Sequence, residues 1–243
     1  MYDLGYYGGY GYGGFYWDWT YILVLIGALI CLLASASVKT TYKKYSKIRS
    51  RTNMTGAEAA ERILRHAGIN DVKIRHVAGE LTDHYDPRSM TVNLSDAVYG
   101  SSSVAAVSVA AHECGHVIQH HVGYVPLIMR TNLVPIANIG STMAWPLIII
   151  GLLFNGNTSH ILIEIGILAF SFSVLFQIIT LPVEINASRR ADSILQEIGI
   201  LDSEEHRYTK KVLGAAAMTY VASAAASILQ LLRLVLLFGR RRD

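Results

Sequence analysis

His112, Glu113 and His116 stand in the order His-Glu-Cys-Gly-His within a stretch, SVAAVSVAAHECGHVIQHHV, that reads as one helix. Positions i and i+4 share a helical face. Two imidazoles one turn apart can therefore converge on one zinc ion, with bonds of about 2.0–2.1 Å. The carboxylate beside the first histidine then lies next to a zinc-activated water, and can take its proton as the water attacks a carbonyl. The helix is otherwise rich in Ala and Val, so it is expected to be buried. Burying two histidines and a glutamate without a shared task would be costly. Cys114 sits between the histidines but off their face, and reads as a small buried apolar residue.

A catalytic zinc takes three protein donors and keeps one position open. Gln119 and Val122 stand where a metzincin would have its Gly and third His, so that pattern fails. His120 is about 12 Å along the axis from His112 at 1.5 Å per residue, too far to share one ion. His120 and His121 read as polar helix-end residues. A downstream carboxylate is left, and the elements between must return it to the side that holds His112.

Those elements are set by apolar blocks. The chain has 243 residues, 52% hydrophobic and only 16% charged, against roughly 25% charged in soluble domains. That excludes a disordered chain. The net charge of +3 gives no argument for nucleic acid. Two cysteines, Cys31 and Cys114, make neither a disulfide framework nor a four-thiolate metal site. The apolar residues fall in blocks at 20–38, 127–154, 161–181 and 212–238, and about 20 such residues cross a bilayer. The first three are expected to span. The last is weakly apolar in its first half and carries Arg233, so it either spans or packs on the others. The first 19 residues form a Tyr/Gly-rich tail without Lys or Arg, unlike a secretory leader.

The first basic residues are Lys39, Lys43, Lys44, Lys47, Arg49 and Arg51. The positive-inside rule then puts the N-terminus outside and residues 39–126 in the cytoplasm. Two crossings return the chain there at 182–211. Glu184 follows Pro182, a residue suited to the first turn of a new helix, and is the expected third donor. Glu164 falls near the outer end of the third block. Arg240 to Arg242 would lie outside if the last block crossed, which speaks against a full crossing.

Within 39–126, Thr55 and Glu58 form a capping-box pattern for a helix that Gly68 ends. Residues 72–77 read as a strand, and residues 81–85 and 90–95 flank a turn at Asp86-Pro87-Arg88-Ser89. The expected fold class is a mainly α membrane protein of three or four spans with a zincin-like α+β catalytic region.

HECGH, LTDHYDPRSMTVNLS and LPVEINASRR together resemble the YugP-like family of neutral zinc metallopeptidases, over nearly the whole chain from about residue 20. The resemblance implies a membrane peptidase with one Zn2+ per chain on His112, His116 and Glu184, and with Glu113 as base. More distantly the chain is similar to HtpX-type and CaaX prenyl proteases. In these an Asp often follows the ligand Glu by four residues and supports a ligand His. Here that position is Ser188, which leaves Asn186, Ser188 and Asp192 as supporting candidates. Peptidases of this type hold extended substrate on an edge strand, for which Thr91, Val92, Asn93 and Leu94 are candidates, with His84 and Asp86 near the cleft. Arg189, Arg190 and Tyr220 are candidate oxyanion donors.

The expected activity is endopeptidase cleavage of polypeptides associated with the lipid bilayer, at the cytoplasmic membrane surface. Two alternatives stand beside it. A site-2-type intramembrane protease would take an Asp from a later span, and no LDG-like Asp occurs in the apolar blocks. A noncatalytic zinc-stabilised scaffold would have no need of Glu113.

Overall fold

The computed structural model describes residues 18–239. The greater part of the Tyr/Gly tail and the run Arg240 to Arg242 lie outside the described residues. Among those described, seven helices and a three-stranded sheet follow in the order α1 (Tyr21–Tyr45), α2 (Gly56–His66), β1 (Lys73–Val77), β2 (His84–Asp86), β3 (Thr91–Ser95), α3 (Asp96–Tyr99), α4 (Val104–His121), α5 (Val125–Leu153), α6 (Asn157–Glu197) and α7 (Ser203–Phe238). Helices α1, α5, α6 and α7 are long and apolar enough to cross a membrane. Their outer faces leave Leu32, Leu33, Ile139 and Leu153 more than 60% exposed. That surface suits hydrocarbon rather than water.

The water-side region has its own core. Ile63, Leu94, Val98, Val107, Val117, Leu195 and Ile200 are almost wholly buried, so α2, α4 and the sheet close on the end of α6. Local chemistry sets the element ends. The Thr55 hydroxyl accepts from the Glu58 amide at 3.2 Å, and the Glu58 carboxylate accepts from the Thr55 amide at 2.8 Å, completing the reciprocal box. Ser103 caps α4 by accepting from the Ala106 amide at 3.2 Å.

The sheet order is β1-β3-β2, with β1 parallel and β2 antiparallel to β3. This corrects the expectation for residues 91–94. Thr91, Val92, Asn93 and Leu94 lie in the central strand, hydrogen-bonded on both sides and buried, so no further strand can add along them. The edge strand next to β3 that contributes residues to the site is β2, through His84 and Tyr85.

Two other departures concern the long helices. No new helix opens at Pro182, because α6 runs unbroken through it for 41 residues. A proline inside a helix forfeits one hydrogen bond, but packing across this stretch is close. The Gln119 side-chain amide donates to the Val183 carbonyl at 2.8 Å. A Cβ on Gly115 of α4 would come within 2.5 Å of the Ala187 carbonyl oxygen of α6. Tertiary contact thus holds the segment helical against its local preference.

Helix α7 begins at Ser203, well before the last apolar block, on a capping box of Asp202 and Glu205. It runs antiparallel to α1 along its length. Tyr45 stacks on Tyr208 at one end, Gly27 meets Ala226 midway, and Arg233 lies over the Tyr21 ring at the other. The far end of α7 is therefore level with the start of α1.

Candidate metal centre

Helix α4 projects His112 and His116 toward α6, one turn apart, and the bare surface of Gly115 lets the two backbones approach. Helix α6 answers with Glu184, 2% exposed. The Nε2 atoms of His112 and His116 lie 3.3 and 3.5 Å from the same oxygen, Glu184 Oε2. These three groups can offer one donor atom each, all within 4.8 Å of one another.

The remaining ring nitrogens are held from behind. His112 Nδ1 lies 3.1 Å from the Ser188 hydroxyl. His116 Nδ1 lies 3.0 Å from Gln119 Oε1. The orientation of that amide is dictated by its surroundings. Its Nε2 faces two acceptors, the Val183 carbonyl at 2.8 Å and Asn186 Oδ1 at 3.0 Å. Oε1 must then face the imidazole and accept from Nδ1–H, which leaves the Nε2 lone pair of His116 directed at Glu184. Asn186 Oδ1 is itself fixed by Arg190 Nε at 2.8 Å.

Glu184 divides its two oxygens. Oε1 faces Arg130 Nη1 of α5 at 3.3 Å, while Oε2, buried, accepts no well-formed hydrogen bond. An unsatisfied buried oxygen beside two imidazole nitrogens is the donor set zinc takes. The observed 3.3 and 3.5 Å separations match the roughly 3.3 Å edge of a tetrahedron with about 2.05 Å bonds. The residues present therefore fit the ion. The field at the site favours a cation. Burial alone would lower the His116 pKa, yet Glu184 and Glu113 override it and raise it.

Beside the donors opens a cavity of about 710 Å³ whose walls include Glu113, His84, Tyr85, His120, Arg130 and Tyr220. Of the three residues considered as oxyanion donors, only Tyr220 is in this wall. Arg189 is exposed and Arg190 is committed to Asn186. Of the three supporting candidates, Ser188 touches His112 and Asn186 reaches His116 through Gln119. Asp192 instead pairs with His206 of α7 at 2.8 Å. Asp86 serves its turn, accepting from the Arg88 amide and the Ser89 hydroxyl. His120 is more than a helix-end residue, since its Nδ1 lies 3.1 Å from the Tyr85 hydroxyl at the cavity. Cys114 is fully buried against the Ala60 carbonyl, and burial pushes its thiol pKa well up.

Two residues of the site went unrecognised in the sequence. Arg130 could have been found as a lone charge inside an apolar block. Gln119 could have been found as the side chain three residues after His116, on the same face.

The family described as "Putative neutral zinc metallopeptidase" matches residues 20–239. The chain belongs to that family. It is also similar to the "Putative membrane protease YugP" of Bacillus subtilis (strain 168), with 45% identity over 224 residues, 92% of this chain and 98% of that protein. No solved structure matches. The His112, His116 and Glu184 cluster fits the pattern of a zinc metallopeptidase with HExxH and a downstream glutamate. The similar protein is itself named a membrane protease, in keeping with the four long apolar helices found here.

Proposed function

We propose that this protein is an integral-membrane endopeptidase that holds one zinc ion on His112, His116 and Glu184 and cuts polypeptides at the cytoplasmic membrane face. The observation that carries this reading is the convergence of two Nε2 atoms and one buried, unsatisfied carboxylate oxygen. Zinc, when bound in such a site, supplies a Lewis acid that acidifies water and polarises a carbonyl.

The chain's own groups do the rest. Glu113 is nearly buried at the cavity wall, one residue from His112. Its carboxylate takes the proton of the attacking water and returns it to the leaving amine. The Tyr220 hydroxyl and the Arg130 guanidinium supply donors from the facing helices for the charge that develops on the carbonyl oxygen. Ser188 and Gln119 hold the two imidazoles in the tautomer that binds. The edge of β2, with His84 and Tyr85 in the cavity wall, offers main-chain hydrogen bonds to an extended substrate.

Orientation follows the basic residues at the end of α1 and just beyond it, Lys39 to Arg51, which by the positive-inside rule put themselves and the donor cluster inside the cell and residue 18 outside. The test is direct. Purified in detergent and offered a broad peptide library, the wild type cleaves. Glu113→Gln keeps zinc and loses cleavage, and Glu184→Ala loses zinc. Proteolysis retained by the Gln variant would sink the mechanism.

A further inference from the structure

The cavity does not stop at the membrane surface. One wall continues along a single face of α5 through Arg130, Thr131, Pro135 and Asn138. The depth of that wall can be read from α6. The Ser173 hydroxyl donates to the Ala137 carbonyl at 3.3 Å, so Asn138 is level with Ser173. Glu184 lies eleven residues further along α6, about 16 Å at 1.5 Å per residue. The apolar stretch of α6 ends near residue 181, so Asn138 sits well inside it and Glu184 just beyond it.

Asn138 is exposed, and its side-chain amide bonds nothing among the described residues. Pro135 has no N–H to return to the Thr131 carbonyl one turn earlier. The wall thus presents an amide and a helix carbonyl without its usual partner, on the cavity side of a helix that crosses hydrocarbon. Lipid satisfies neither group. Both match what a peptide backbone offers once it leaves its own helix, namely N–H donors and C=O acceptors.

We propose that this wall is a subsite for the membrane-embedded end of a substrate, whose last turn unwinds against Thr131 and Asn138. The proposal rests on the peptidase reading above and names its substrate class, a polypeptide anchored by an apolar helix. An extended chain rises about 3.3 Å per residue, so the 16 Å from Glu184 to Asn138 takes about five residues. The scissile bond then falls one or two residues outside the apolar boundary of the substrate, with three or four apolar residues drawn into the cleft.

The test uses the full chain in proteoliposomes with Cys31→Ala, Glu113→Gln and Asn138→Cys combined. The probe is a peptide anchored by a 20-residue Leu/Ala helix, carrying a single cysteine that walks from its polar flank into the helix. Under copper-phenanthroline oxidation, disulfide trapping is expected to peak three or four residues inside the apolar boundary, at least fivefold above a cysteine at mid-helix. A flat profile, or no trapping at any position, overturns the subsite. A second measurement uses active protein. Asn138→Leu is expected to lower the ratio of kcat/KM for the anchored peptide to that for its soluble flank at least tenfold, and an unchanged ratio overturns the proposal. If the wild type cuts neither peptide while trapping keeps its peak, the peptidase reading fails and the subsite stands.

Discussion

Arg130 Nη1 lies 3.3 Å from Glu184 Oε1, the carboxylate oxygen that faces away from the two histidines. One oxygen of Glu184 is thereby spent on α5, and the other is left for His112 and His116. This arrangement predicts that Arg130→Met loosens the third donor. An ion pair with one partner partly exposed contributes about 0.2–1 kcal/mol, which is roughly 1.5- to 5-fold in an equilibrium constant. Chelator competition should show zinc affinity falling within that range, with partial recovery in Arg130→Lys. Unchanged affinity would mean that Glu184 is held by α4 and α6 alone.

Gln119 is wholly buried and ties His116 to the Val183 carbonyl and Asn186. Gln119→Leu keeps the bulk and removes the hydrogen bonds. Support groups of this kind are commonly worth about 10- to 100-fold in metal affinity or activity. Ser188→Ala should cost less, because a hydroxyl behind His112 is replaced more readily by water. Zinc titration of both variants checks the order. A larger loss in Ser188→Ala would reverse the assignment of which histidine depends more on its backing.

Gly115 lets α4 and α6 touch. A Cβ there would press on the Ala187 backbone oxygen at 2.5 Å, a contact that no side-chain rotation relieves. Overpacking of this sort typically costs about 1–3 kcal/mol. Gly115→Ala should lower the Tm in detergent and reduce zinc content together, since the same displacement separates Glu184 from the histidines. A lowered Tm with full zinc content would show that the helices yield elsewhere.

The pairing of α1 with α7 predicts topology. On a background of Cys31→Ala, cysteines placed at Asp18 and Gly239 should both react with a membrane-impermeant reagent from outside intact cells. A cysteine at Ser46 should react only after the cells are opened. Labelling of Gly239→Cys and Asp18→Cys from opposite sides would mean that α7 does not cross alongside α1.

The parts of this site that sequence made visible depend on short-range order or on counting. His112, Glu113 and His116 stand out because their spacing carries meaning on any helix. Glu184 emerges because two apolar blocks bring the chain back to its starting side. What stayed hidden depends on distant pairing. Whether residues 91–94 lie at an edge or in the centre is decided by β1, whose Lys73 pairs with Thr91 in parallel register, and no local pattern reports it. Pro182 signals a helix start, and its local preference is overridden by the contact of Gly115 with Ala187. Arg190 offered a guanidinium near a donor and no sign that Asn186 would claim it.

The unbroken course of α6 through Pro182 settles what kind of object the metal centre is. Helix α4 reaches α5 after the three residues Val122 to Tyr124, and Glu184 rides on the same rod as a membrane span. No cut that sheds the water-side region can carry all three donors with it. A released fragment of α2 to α4 would keep two imidazoles and leave the carboxylate behind on α6. The chemistry is therefore indivisible from the bilayer, and clipping the protein free of the membrane would extinguish it rather than liberate it.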